Sequence, residues 1–228
     1  MPETAARTRL CEFRNLGRMA YGRAWALQRE LVDQRKEGRI PDQFLIVEHP
    51  HVITLGRNAK EQNVLAAPEA LARAGVEVHA TDRGGDVTYH GPGQVVGYPI
   101  LDLREWKRDV VAYVRGLEQV LVDALADFGL PGERIAGVTG VWVNGRKVAA
   151  IGVHVSRWIT SHGFALNLDT EMSYFGYIVP CGLSRPVVSM RELGCLASRQ
   201  EVVRSLLQHL SRVFDCRLVD AAEQVERN

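Results

Sequence analysis

Gly140-Val141-Trp142-Val143-Asn144-Gly145-Arg146-Lys147-Val148-Ala149-Ala150-Ile151-Gly152-Val153-His154-Val155 reads as two strands and the turn between them. Asn-Gly readily holds both central positions of a type I′ turn at positive φ, and that turn matches the twist of paired strands. The stretch predicts a hairpin joining Gly140–Val143 to Lys147–Val155, and with it an antiparallel sheet. Alternation places Lys147, Ala149, Ile151 and Val153 on one face of the second strand and Ala150, Gly152 and His154 on the other. The small residues leave room either for a ligand or for a neighbouring strand.

Working outward, Phe44–Val47, Val52–Leu55 and Phe164–Leu168 are short apolar runs that read as strands. Val76 and Val78 alternate with polar neighbours, and Val87–His90 looks like a short strand between turns. Ala20–Lys36 has helical spacing before Gly38. Pro68 opens a short helix ending at Gly75. Asp109–Phe128 is the clearest helix, with Val110, Val114, Leu117, Leu121, Leu125 and Phe128 inward and Gly129 and Pro131 as its stop. Ser198-Arg199-Gln200-Glu201 is a capping box opening a helix with Val202, Leu206, Leu210 and Val213 inward. Strands outnumber helices and no regular βαβ alternation appears. Neither a G-x-G-x-x-G turn nor a P-loop is present. The expected architecture is α+β: a mixed, largely antiparallel sheet flanked by helices. It forms one domain over residues 9–218, with a loose segment 1–8 and a tail 219–228.

Composition agrees. The 228 residues are 46% hydrophobic and 24% charged, the balance of a globular chain rather than a disordered one. Lys+Arg total 28 against 27 Asp+Glu, a net charge of +1, which gives no support to nucleic-acid binding through a basic face. No apolar run is long enough for a membrane span. Met1-Pro2-Glu3-Thr4 lacks the basic-then-apolar pattern of a secretory leader. The four cysteines, Cys11, Cys181, Cys195 and Cys216, form no C-x-x-C pair, so free thiols in the cytoplasm are expected.

Three segments could carry chemistry. In Asp82-Arg83-Gly84-Gly85-Asp86-Val87-Thr88-Tyr89-His90-Gly91-Pro92-Gly93-Gln94, the glycines allow backbone to approach a ligand, and Arg83, Tyr89 and His90 add polar tips. Taken alone, the segment equally suits a hairpin that only turns the chain. Lys147 stands at the mouth of an apolar strand, where partial burial would suit it to carry a proton, although a lysine beside a turn is usually solvated. Cys181, between Pro180 and Gly182, suits an accessible nucleophile, although a free cysteine usually packs inertly. Glu48-His49-Pro50-His51 offers two imidazoles, and His154 or His162 could extend the set. No third and fourth metal ligand stands at diagnostic spacing.

Together these segments resemble the octanoyltransferase (lipoyl(octanoyl) protein transferase) family of lipoate biosynthesis. The matching text is Arg83 to Gln94, Gly145 to Gly152, His162-Gly163-Phe164-Ala165-Leu166-Asn167, and Ser173-Tyr174-Phe175-Gly176 running into Ile178-Val179-Pro180-Cys181-Gly182. The segments occur in the family's order and span most of the chain. The resemblance implies a single-domain fold like that of lipoate and biotin protein ligases. It implies transfer of an octanoyl or lipoyl group from acyl carrier protein to a lysine of lipoyl domains, in 2-oxoacid dehydrogenase acyltransferase subunits and the glycine cleavage H protein. A cysteine thioester would be the intermediate.

The family's catalytic residues fall on Cys181 and Lys147. Its substrate contacts fall on Arg83, Gly84, Gly85, Asp86, Val87, Thr88, Tyr89 and His90, on Ala150, Ile151 and Gly152, and on Gly163, Phe164 and Ala165. The acyl group arrives on a phosphopantetheine arm, so no cofactor, ATP or metal is expected, and no nucleic-acid or membrane partner. Arg83, Arg157 and Arg185 are candidates for meeting the acidic carrier. The rivals are an ATP-dependent lipoate–protein ligase, a thiol hydrolase and a non-catalytic acyl-binding module.

Overall fold

The computed structural model describes residues 9–179 and 186–221. Its strands are β1 (Arg9–Arg18), β2 (Asp42–Glu48), β3 (Val52–Leu55), β4 (Glu77–Ala80), β5 (Val87–His90), β6 (Gln94–Ile100), β7 (Glu133–Ile135), β8 (Val138–Val143), β9 (Arg146–Ser156), β10 (Ile159–Asn167) and β11 (Cys216–Asp220). The helices are α1 (Tyr21–Lys36), α2 (Pro68–Arg73), α3 (Val110–Ala126) and α4 (Arg199–Val213). Among the described residues these strands form two sheets. The larger runs β11-β1-β2-β6-β10-β9-β8-β7 and the smaller β4-β3-β5. Only the β11-β1, β1-β2 and β3-β4 pairs are parallel, so the expected mixed, largely antiparallel α+β architecture is present.

Strand β2 shows how the layers form. It is buried on both faces. Phe44 and Ile46 face a core shared with α3 and α4, while Leu45 and Val47 face α1. The helices read as expected at their ends: Asp109 caps α3 by accepting from Ala112 N–H at 2.9 Å, and Ser198 with Glu201 closes the capping box of α4. The inward face of α3 is rotated from the sequence expectation. Tyr113, Leu117, Val120 and Leu121 are fully buried, whereas Val110, in the first turn, is 41% exposed. Asn144 and Gly145 have φ of 51° and 71°, as a type I′ turn requires.

α1 covers only part of its face of the large sheet. It packs on β2, β6 and β10, and beside it β5 and the loop before it face β9 and β10 across a cleft, backed by a small-sheet core around Ile53, Leu71, Val87 and Tyr89. The space between the two sheets holds the candidate site. No helix among the described residues is long and apolar enough to cross a membrane.

Candidate active site

The floor of the site follows from pairing. On the β9–β10 ladder, Ala150 lies opposite Ala165 and Gly152 opposite Gly163, while Ile151 and Phe164 pair between them. Ile151 and Phe164 pack with the opposite core. The sheet therefore presents a bare strip of alanine and glycine. Above this strip lies a cleft. Arg83, Gly85, Thr88 and His90 line it from the small-sheet side, and Tyr21, Val96, Tyr98 and His162 complete the wall. Gly152 also serves a close approach, since a Cβ there would lie 2.9 Å from the Gly84 carbonyl oxygen.

A second, smaller cavity adjoins the first and shares Thr88, Ala150 and Ala165 with it. Lys147, Gln94 and Asn167 give this compartment its polar groups. Lys147 shares this cavity with Ala150, contrary to simple alternation. The β8–β9 register runs Val141↔Ala149 and then Trp142↔Lys147, so Val148 is an extra residue in β9. Such a bulge shifts every preceding side chain to the other face. Lys147 is thereby buried, with Nζ 5.1 Å from the centroid of the Trp142 ring. Its N–H donates to the Pro186 carbonyl at 2.9 Å, and its carbonyl accepts from Val188 N–H at 2.9 Å.

A hydrogen-bond chain connects the two cavities. Asn167 Nδ2 donates to the Val188 carbonyl at 3.1 Å, which makes Oδ1 the acceptor for Gln94 Nε2 at 2.9 Å. Gln94 Oε1 then accepts from His90 Nδ1 at 2.8 Å. The network thus fixes the proton of His90 on Nδ1 and leaves Nε2 unprotonated. Burial, with the nearby His49, pushes His90 down to about 3. At neutral pH it is an acceptor and not an acid. His49 is set similarly. Nδ1 donates to the Met19 carbonyl at 2.7 Å, so Nε2 accepts from the Tyr98 hydroxyl at 2.8 Å. Burial pushes His49 down to about 4.

The structure divides the expected contact residues. Arg83, Gly85, Thr88, His90, Ala150, Ile151, Gly152, Gly163, Phe164 and Ala165 line the cleft. Gly84, Asp86, Val87 and Tyr89 do not. β5 alternates, so Val87 and Tyr89 turn into the small-sheet core, where the Tyr89 hydroxyl meets His51 Nδ1 at 2.8 Å. Asp86 accepts from Lys60 N–H, Val87 N–H and Asn63 Nδ2 and so clamps the loop before α2. Arg83 is buried with its guanidinium on Thr54, so it is not a surface cation for a protein partner. Cys181 and Arg185 lie outside the described residues. The other cysteines, Cys11, Cys195 and Cys216, are buried free thiols. Tyr21 and Tyr98 were not marked by any motif. Tyr98 sits between Gly97 and Pro99, two residues that disguise its strand.

A cleft floored by small residues thus lies between a large mixed sheet and a small one and adjoins a compartment that holds a buried lysine. The family model described as the lipoyl protein ligase A/B catalytic domain matches residues 20–211. Solved structures share the fold. A putative lipoate protein ligase from T. acidophilum with bound lipoic acid is 15% identical, with a TM-score of 0.73, covering 95% of this chain and 91% of that one. The biotin protein ligase of Aquifex aeolicus is 12% identical with a TM-score of 0.51, covering 91% of this chain and 70% of that one.

Sequence relatives are nearer. The octanoyltransferase of Solibacter usitatus is 58% identical over 94% of this chain and 97% of its own. That of Gloeobacter violaceus is 51% identical over 87% of each. The chain belongs to the lipoyl protein ligase A/B family and, within it, to the octanoyltransferases.

Proposed function

We propose that this protein moves an octanoyl group from acyl carrier protein to a lysine of a lipoyl domain through a thioester on Cys181, with Lys147 as proton carrier. The observation that carries the reading is the bare Ala–Gly floor leading from the Lys147 compartment into the apolar cleft. An octanoyl chain buries about seven CH₂ and CH₃ groups at about 0.8 kcal/mol each, so the cleft supplies up to about 5–6 kcal/mol of binding. Cys181 stands five residues before Pro186, whose carbonyl accepts from Lys147 N–H.

In this reading the Cys181 thiolate attacks the carrier thioester, and the carrier thiol leaves with the proton that Lys147 holds. The lipoyl-domain amine then attacks the enzyme thioester, giving up a proton to Lys147 as the amide forms. The first exchange is nearly balanced, and amide formation makes the second downhill, so the reaction needs no ATP. The acceptors expected are the lipoyl domains of 2-oxoacid dehydrogenases and the glycine cleavage H protein.

The test is intact-mass measurement after mixing the protein with octanoyl-acyl carrier protein, without ATP. The expected result is a gain of one octanoyl group, absent in Cys181→Ser and discharged by a lipoyl domain. Acceptor modification that appears only with ATP and free octanoate would overturn the reading in favour of a ligase.

A further inference from the structure

The ring of His162 stands between two cavities. On its inner side it lines the cleft. On its outer side its partner Asp82, with Trp25 and Gln28, lines an open groove of about 650 Å³ between α1 and the ends of β9 and β10. Three contacts hold the residue there. Nε2 meets Asp82 Oδ1 at 2.8 Å, and the backbone N–H donates to Gln28 Oε1 at 2.8 Å. Trp25 packs with its ring centroid 6.1 Å from that of His162. The residue has a φ of 56°, a left-handed conformation that side chains other than glycine rarely adopt. A strained residue clamped from three sides and buried at the end of a cleft calls for a reason.

We propose that His162, clamped by Asp82, is the stop that sets acyl chain length. The proposal rests on the acyl-transfer reading above. From the Ala150–Ala165 pair, in the wall shared with the Lys147 compartment, to the Val153–His162 pair is three residues along the ladder. At about 3.3 Å per residue, that spans about 10 Å. An extended eight-carbon acyl chain measures about 9 Å from standard bond lengths. A ten- or twelve-carbon chain reaches further, into the space of the His162 ring and the groove behind it. Burial alone would favour the longer chain by about four-fold per added methylene. Preference for eight carbons therefore requires an element that excludes longer ones.

The test measures transfer to a lipoyl domain from acyl carrier protein loaded with six-, eight-, ten- or twelve-carbon chains, scored by intact mass. His162→Gly removes the ring and suits the left-handed backbone. Asp82→Ala keeps the ring and removes its clamp. The expected result is a ratio of twelve- to eight-carbon kcat/KM at least ten-fold higher in His162→Gly, and a smaller rise in Asp82→Ala. Octanoyl transfer with an unchanged ratio in both variants overturns the proposal. If His162→Gly does not fold, Asp82→Ala alone decides. Wild-type protein that transfers no chain of any length sinks the acyl-transfer reading itself, a different failure from an unchanged ratio.

Discussion

Lys147 and Ala150 stand three residues apart on β9, yet both face the same cavity. On a regular strand an odd separation puts side chains on opposite faces. The extra residue Val148 resolves this, since the register with β8 shifts between Val141 and Trp142. Gly140 makes the bulge feasible. It has φ of 133°, and a Cβ there would lie 2.8 Å from the Ala149 carbonyl oxygen and 3.5 Å from Lys147 Cε. Gly140→Ala is expected to cost about 1–3 kcal/mol of stability through backbone strain. Turnover should fall at least about ten-fold as Lys147 is displaced, since misplacement of about 1 Å can cost more than that. Denaturant unfolding and a steady-state assay check both numbers. An unperturbed kcat in a destabilised variant would separate the bulge from the chemistry.

The floor of the cleft makes a separate prediction. Ala150 faces Ala165 across the ladder, and filling that space should shorten the room for an acyl chain while leaving the core untouched. Ala150→Leu is expected to exclude about three methylenes. At about 0.8 kcal/mol each this loses about 2–3 kcal/mol, or about 30–100-fold in kcat/KM for octanoyl donors. Shorter donors should lose less. Equal losses for four- and eight-carbon donors would show that the cleft does not hold the chain.

Gln94 is the middle of the chain from His90 to Asn167. Gln94→Ala leaves the His90 Nδ1 proton and Asn167 Oδ1 buried without their partner. Each orphaned group costs about 1–3 kcal/mol, so unfolding free energy should drop by about 2–5 kcal/mol. Urea denaturation gives the answer directly. A loss under 1 kcal/mol would mean that water replaces the amide.

Much of this was legible in the chain itself. The hairpin turn, the two capped helices and the apolar strands announce themselves through local chemistry, as Asn144-Gly145 and Ser198 illustrate. Strand β6 did not, because Gly97 and Pro99 look like turn residues. Its tertiary setting removes the objection: β10 pairs with β6 only from Gly97 back to Gln94, so the missing N–H of Pro99 falls where no β10 partner is in register. β1 and β11 are recognised only as parallel partners, distant in sequence. The site was legible as motifs, but the motifs mix roles. In Arg83 to His90 the alternation of β5 sends His90 to the cleft and Tyr89 to the small-sheet core, and Asp86 ties a loop. The bulge that turns Lys147 inward depends on its pairing with β8 and leaves no mark in the sequence of β9 alone.

The buried histidines set how stability responds to acid. His49 and His90 are neutral in the fold, pushed by burial to about 4 and about 3. In the unfolded chain each titrates near 6.5. Between those values the unfolded state binds more protons, so stability must fall as pH falls. The contribution is complete above pH 6.5 and is lost on acidification until the folded-state values are reached. Burial lowers His162 in the same direction. Asp82 is only partly covered, and that partial desolvation alone would raise it, but the hydrogen bond and charge of His162 hold it below the usual carboxylate range. Its contribution is lost only at more acidic pH. Two such histidines give a decline of about 2–3 kcal/mol between about pH 7.5 and 5.5. His49→Gln is expected to flatten that decline by close to half, whatever it does to absolute stability. Urea denaturation repeated across that range reads the slope, and an unfolding free energy independent of pH there would mean that these imidazoles are not buried neutral.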